Sequence, residues 1–225
     1  MLEFYSMKKI SNFGIFTLLF VSSLTIMVGT VIAPSLSGIM QHKDLSFSPS
    51  WLITLPSLGV VVFAPLIGRL LNKLTPLKLL GLGLIPYAFL GLIGAFITNE
   101  YVLILDRFLL GAATVAVNVS VTAYIAKQFE GDTRMKMIAW QGMAIELGGV
   151  VFLAVGGILG ELNWQYPFYI YLVALVCLPL VLKTLPKVND KDLDKKLNTE
   201  VKKGDKQLVK FIFLAALLAM MLFFI

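Results

Sequence analysis

Long apolar runs, interrupted by short polar or charged clusters, fill most of this chain. They predict six helices, at residues 13–39, 51–71, 79–98, 101–126, 137–159 and 167–185. Each run can cross about 30 Å of hydrocarbon, which takes about 20 helical residues at about 1.5 Å each. Helices are required because lipid offers no partner to an unpaired backbone group. A membrane barrel would show alternating segments about half this long, and runs such as residues 58–63 (LGVVVF) do not alternate. The first run is far longer than the roughly 7–15-residue core of a signal peptide, so it reads as a retained span. The expected fold is an all-α integral membrane protein, a six-helix bundle.

Composition narrows the function classes. Of the 225 residues 58% are hydrophobic and only 14% charged, whereas a soluble domain carries about 25% charged residues and needs them outside. A water-soluble enzyme, a nucleic-acid module and a disordered tail are poor readings; the lipid bilayer is the expected surrounding. Cys177 is the single cysteine and His42 the single histidine. An intrachain disulfide is excluded, and a metal site built on several His or Cys ligands is not expected. No membrane-embedded Ser–His pair or phosphate-cradling glycine loop is present, so neither an enzyme nor a bound cofactor is predicted.

The net charge of +6 is explained by topology. Of the 19 Lys and Arg residues, all but Lys43 and Arg107 fall near the N-terminus, in the second and fourth loops, or from Lys183 onward. These places share one side of a six-span chain. The positive-inside rule puts them, and the N-terminus, in the cytoplasm. A multi-pass protein of the plasma (inner) membrane results, with no call for a nucleic-acid partner. Residues 1–12 form a cytoplasmic N-terminus and 13–185 the bundle. Residues 186–210 read as a solvated linker, with a regulatory or lipid-binding role left open. A seventh apolar run occupies 211–225. Its 15 residues rise only about 22 Å, so the expectation is an interrupted chain whose remaining half is missing or supplied separately.

Four patterns carry candidate chemistry. Gly68-Arg69-Leu70-Leu71-Asn72-Lys73, followed by Thr75-Pro76-Leu77-Lys78, closes the second span. A small residue there suits close helix packing, and the cations suit the cytoplasmic face; an ordinary basic turn is the simpler alternative. In the fourth span, Asp106-Arg107-Phe108-Leu109-Leu110-Gly111 places a guanidinium inside lipid. Such a group faces a cavity or a partner. Stepping along its helix face gives Gly111, Thr114, Asn118 and Thr122, a polar and small stripe expected to line a cavity. Asp106 lies about 100° away and reads as an acid nearer the interface. Structural pairing remains the other reading of Arg107.

The fifth span carries Glu146 near the bilayer midplane, where a carboxyl is protonated, paired or wet. Proton or cationic-substrate binding and a satisfied structural acid are both open. Direct pairing with Arg107 is not expected, since their depths differ by about 5–10 Å. The same span carries Gly148-Gly149 and Gly156-Gly157-Ile158-Leu159-Gly160, glycines that let helices approach closely. Trp164, Tyr166 and Phe168 follow as an interfacial aromatic belt.

In order and sidedness these patterns resemble the major facilitator superfamily of transporters. The first is similar to its G-x-L-a-D-r-x-G-r-r loop, with Asn72 at the acid and Thr75 at the second glycine. The second resembles its R-x-x-x-G element. The glycine pattern of the fifth span resembles the G-x-x-x-G-P-x-x-G-G element of drug-efflux members, with Phe152 and Leu153 at the Gly-Pro pair. The resemblance covers about residues 13–185 and the start of a seventh helix. It implies an N-terminal half built from two inverted three-helix repeats, completed by a C-terminal half. A substrate site between the halves is implied, with alternating access and proton-driven export of small amphipathic or cationic molecules. The acid that some members carry in the first helix is missing from residues 24–30 (LTIMVGT), which shifts weight to Glu146. The competing reading is a non-transporting membrane fragment, or a half-transporter needing its second half.

Overall fold

The computed structural model describes residues 10–43 and 46–186; the predicted seventh run and nearly all of the predicted linker lie outside them. Six helices are long and apolar enough to cross a membrane: α1 (Asn12–Lys43), α2 (Trp51–Leu71), α3 (Pro76–Ile93), α4 (Glu100–Gln128), α5 (Gly131–Leu162) and α6 (Tyr166–Thr184). Among the described residues there is no strand.

Polar residues start these helices where the apolar runs meet water. Ser11 Oγ accepts from the Gly14 amide at 3.1 Å, and Thr75 Oγ1 accepts from the Lys78 amide at 3.2 Å with Pro76 in the first turn. Asn99 Oδ1 takes the amides of Tyr101 and Val102. Each cap satisfies donors that a helix N-terminus leaves open. Gly131, at φ +53°, provides the left-handed residue at which α5 begins, just after Phe129 and Glu130.

The structure corrects several predicted bounds. Helix α3 runs from Pro76 to Ile93 rather than over 79–98, because the Thr75 cap and Pro76 start it early. Helix α5 extends six residues before the predicted 137 and reaches Leu162: Asp132 suits the first turn, and Arg134, Met135 and Lys136 favour helix beyond the apolar core. The first span is not one straight helix. It is α-helical to Thr30, passes through a 3-10 turn at Ala33–Ser35, and resumes over Leu36–Lys43. Pro34 lacks the N–H that would continue the ladder. Helix α6 likewise contains a 3-10 turn, at Ile170–Leu172.

Helix α1 packs chiefly on α5, and α2 chiefly on α4; α3 packs on α4 and α6. Exchanging α1 with α4, α2 with α5 and α3 with α6 maps the first two pairings onto each other, the relation that paired three-helix repeats produce. Two buried phenols fasten α1 from within. Tyr87 donates to the Leu24 carbonyl, and Tyr171 donates to the Val28 carbonyl at 3.0 Å. Their rings meet at 5.5 Å. Coverage is uneven: 56% of the most apolar window of α1 and of α4 is buried, against 22% for α2 and 11% for α5. The faces of α2 and α5 are therefore the bare ones.

Close backbone approach sets the helix spacing. A Cβ on Gly59 would overlap the Phe108 carbonyl, and one on Gly111 the Pro56 carbonyl, so α2 and α4 cross glycine on glycine. On α5, a Cβ on Gly148 would strike Ser23, one on Gly156 the Val31 carbonyl, and one on Gly160 the Ser35 hydroxyl. Gly157 differs from expectation: its nearest neighbour is Pro34, at an ordinary 3.8 Å. Gly68 also departs, since a Cβ there would meet nothing within 4 Å; it sits on the exposed end of α2. Gly111→Ala therefore lowers stability by about 1–3 kcal/mol through overpacking, while Gly68→Ala keeps stability or raises it by up to about 1 kcal/mol, the helix-propensity gain. Thermal unfolding in detergent measures both, and equal midpoints for the two variants would contradict the packing.

Candidate functional site

A cavity of about 340 Å³ opens between α1, α2, α4 and α5. Its polar lining is Thr25 and Thr30 from α1, Ser57 from α2 and Thr114 from α4; Pro56 and Leu153 are among the apolar walls. Thr114 stands near the middle of α4, so the cavity lies at mid-membrane depth. Three hydroxyls bond back to their own helices: Thr25 to Ser22 O at 2.8 Å, Thr30 to Ile26 O at 3.1 Å and Thr114 to Leu110 O at 2.7 Å.

The predicted stripe on α4 is split by the structure. Thr114 faces the cavity. Asn118 and Thr122 are exposed beyond it, where Gln141 Nε2 donates to Thr122 Oγ1 at 3.0 Å. Gly111 is spent on contact with α2. Arg107 does not line the cavity: it is fully buried in the bundle, paired with its chain neighbour. Asp106 Oδ2 accepts from Arg107 Nη2 at 2.7 Å and from Nε at 2.9 Å. Asp106 is thus a buried partner, only 5% exposed, rather than an interfacial acid. The long side chain carries its charge off the helix face that its Cβ defines.

The guanidinium reaches further. Nη2 also donates to the Leu90 carbonyl at 2.8 Å, near the end of α3, and the group lies over the Phe168 ring at 5.5 Å. A Cβ on Gly94 would overlap this nitrogen, which is why the chain leaves α3 through glycine. Outside this pair, the Lys43 ammonium donates to the Ala95 carbonyl at 3.2 Å and to the Ile97 carbonyl, and sits 5.1 Å from the Trp164 ring centre. His42 stacks on the same indole. Glu100 Oε2 accepts from the Ser46 amide and hydroxyl. Three loops on one end of the bundle are joined by these contacts. Sequence reasoning missed Lys43; its isolation from every other cation was the available signal.

Glu146 is exposed on α5 and makes no hydrogen bond or ion pair among the described residues. It shares a helix face with Gly149, which approaches Ile26, and with the cavity-lining Leu153. Arg107 and Glu146 are not paired. Arg69, Asn72, Lys73 and Lys78 are all exposed at the α2–α3 turn. The hydroxyls of Thr25, Thr30 and Ser57 were also missed, because a threonine or serine within an apolar run is ordinary helix content until a neighbouring helix is placed beside it.

The bundle thus combines paired three-helix packing with a mid-depth cavity. The Major Facilitator Superfamily model matches residues 18–225, and the chain belongs to that family. Over 142 residues it is 31% identical to "Tetracycline resistance protein, class B" of Escherichia coli, covering 62% of this chain and 35% of that protein. It is 25% identical over 158 residues to "Multidrug resistance protein 2" of Bacillus subtilis (strain 168), covering 68% and 40%. It is also 25% identical over 179 residues to "Multidrug resistance protein 1" of the same organism, covering 79% and 45%. The chain spans less than half the length of these relatives.

The buried pair gives a direct test. Asp106→Asn leaves a guanidinium without its counter-charge, a loss of about 3–5 kcal/mol for a broken buried pair. Thermal unfolding in detergent should fall sharply for Asp106→Asn and recover in part for Asp106→Glu. An unchanged midpoint would mean that Arg107 is satisfied without Asp106.

Proposed function

We propose that this chain forms the N-terminal half of a proton-coupled exporter of small amphipathic or cationic compounds. The observation that carries the reading is the mid-depth cavity, within a bundle of this family, bordered by the helix face that holds the unpaired Glu146. An ionisable group at that depth is retained where it binds a proton or a cation. Glu146 is the proposed proton or cation site, and Thr114 and Asn118 the polar contacts on α4. Asp106 and Arg107 act one step removed, holding α4 against α3 and α6 so that the cavity wall keeps its shape.

The bare faces of α2 and α5 are proposed to receive the C-terminal half of the transporter, which completes the site. Arg69, Asn72, Lys73 and Lys78, with Gly68 open beside them, are placed to meet that half at the cytoplasmic side. The N-terminus lies in the cytoplasm on this reading, following the basic loops, and the membrane is the plasma membrane. The named drug-resistance relatives support export as the direction.

Proton-driven export of a fluorescent cation from inverted membrane vesicles tests the proposal. The chain co-expressed with a matching second half should export the dye, and Glu146→Gln should reduce the rate at least tenfold while leaving the protein folded. Undiminished export by Glu146→Gln would remove the carboxyl from coupling. No export in the presence of the second half would remove the transporter reading.

A further inference from the structure

The cavity has a hydrogen-bonding sense of its own. A hydroxyl carries one donor hydrogen and two acceptor lone pairs. At Thr25, Thr30 and Thr114 the hydrogen is already given to a backbone carbonyl of the same helix, at 2.8, 3.1 and 2.7 Å. What these three side chains present to the cavity is acceptor oxygen. Ser57 alone among the lining hydroxyls makes no such bond. No lining residue is charged, and the remaining walls include Ile26, Val28, Ile53 and Val60. Neither carboxyl nearby alters this. Asp106 Oδ2 is held by Arg107 inside the bundle, and Glu146 lies two turns along α5 from the lining residue Leu153.

We infer that this cavity selects ligands carrying an N–H or O–H donor on an apolar body. The substrate class is aryl amines, amides and phenols. The inference rests on the transporter reading above only in taking the cavity for the ligand site. The three threonines discriminate because a ligand oxygen or nitrogen without a hydrogen, brought against Thr25, Thr30 and Thr114, loses its water and gains nothing; Ser57 is the one lining hydroxyl whose hydrogen is left to give. At about 340 Å³ the cavity stands at the small end of the roughly 300–1,000 Å³ range of small-molecule sites, enough for a two- or three-ring body.

The test uses two neutral probes of nearly equal shape, radiolabelled 2-naphthol and 2-methoxynaphthalene, which differ in one O–H. Equilibrium binding is measured on the purified protein in detergent, with no gradient present. Saturable binding of 2-naphthol should weaken about fivefold, the value of one net hydrogen bond, in at least one of Thr25→Val, Thr30→Val and Thr114→Val. The same variant should bind 2-methoxynaphthalene as the unsubstituted protein does, and the matching Thr→Ser variant should keep the preference. Valine keeps the shape of threonine, so loss of folding would appear as loss of both probes and is checked by the serine variant. Equal weakening of both probes by valine with a folded serine variant, or no saturable binding of either, overturns the inference. Discrimination without any proton-driven transport in sealed vesicles would overturn the transporter reading and leave this one standing.

Discussion

A polar group in hydrocarbon needs a partner or a wet surface, and the internal arrangement of this bundle follows from that constraint. The demand is greatest at Arg107, whose charge cannot be neutralised by proton loss. The chain meets it with Asp106 one residue away, with the Leu90 carbonyl near the end of α3, and with the face of Phe168 on α6. One side chain thereby joins α3, α4 and α6. Gly94 and Gly91 are the room made for it and for Tyr171. The phenols of Tyr87 and Tyr171 obey the same constraint, each finding a carbonyl of α1.

Arg107 Nη1 and Asp106 Oδ1 keep no hydrogen-bond partner among the described residues, so the pair is held by Nε, Nη2 and Oδ2 alone, and the bundle's openings lie elsewhere. The hydroxyls at mid-depth line a cavity rather than a seam, and the faces of α2 and α5 stay uncovered. Tight packing and open surface are therefore on different helices: α1 and α4 join the core to the cavity, while α2 and α5 border the cavity and the outside.

Much of the fold was legible in the sequence because the membrane imposes length. Six runs of sufficient length, with cations on alternate loops, leave little freedom in count or order. The break in α1 was less visible: Pro34 is plain in the sequence, but the 3-10 turn it forces depends on how Val31 and Ser35 seat on α5 at Gly156 and Gly160. The site was legible only in part. A helical wheel gives the direction of Cβ, which serves for Thr114 and fails for Arg107, whose charged head sits several bonds away. It failed for Asp106 for the same reason, since the wheel separates two residues whose side chains meet. Thr25 and Thr30 carry no signal alone; they become a wall only when α4 and α5 stand beside α1.

If the Thr25–Thr114 cavity is a ligand site at mid-depth, water reaches it while leucine positions packed in the core stay dry. Reaction of Thr25→Cys and Thr114→Cys with a small hydrophilic thiol reagent, on a background in which Cys177 is replaced by serine, measures this directly. The account predicts rapid labelling at both positions and none at Leu84→Cys, which lies in the packed core. Labelling of Thr25→Cys and Thr114→Cys as slow as that of Leu84→Cys would contradict it.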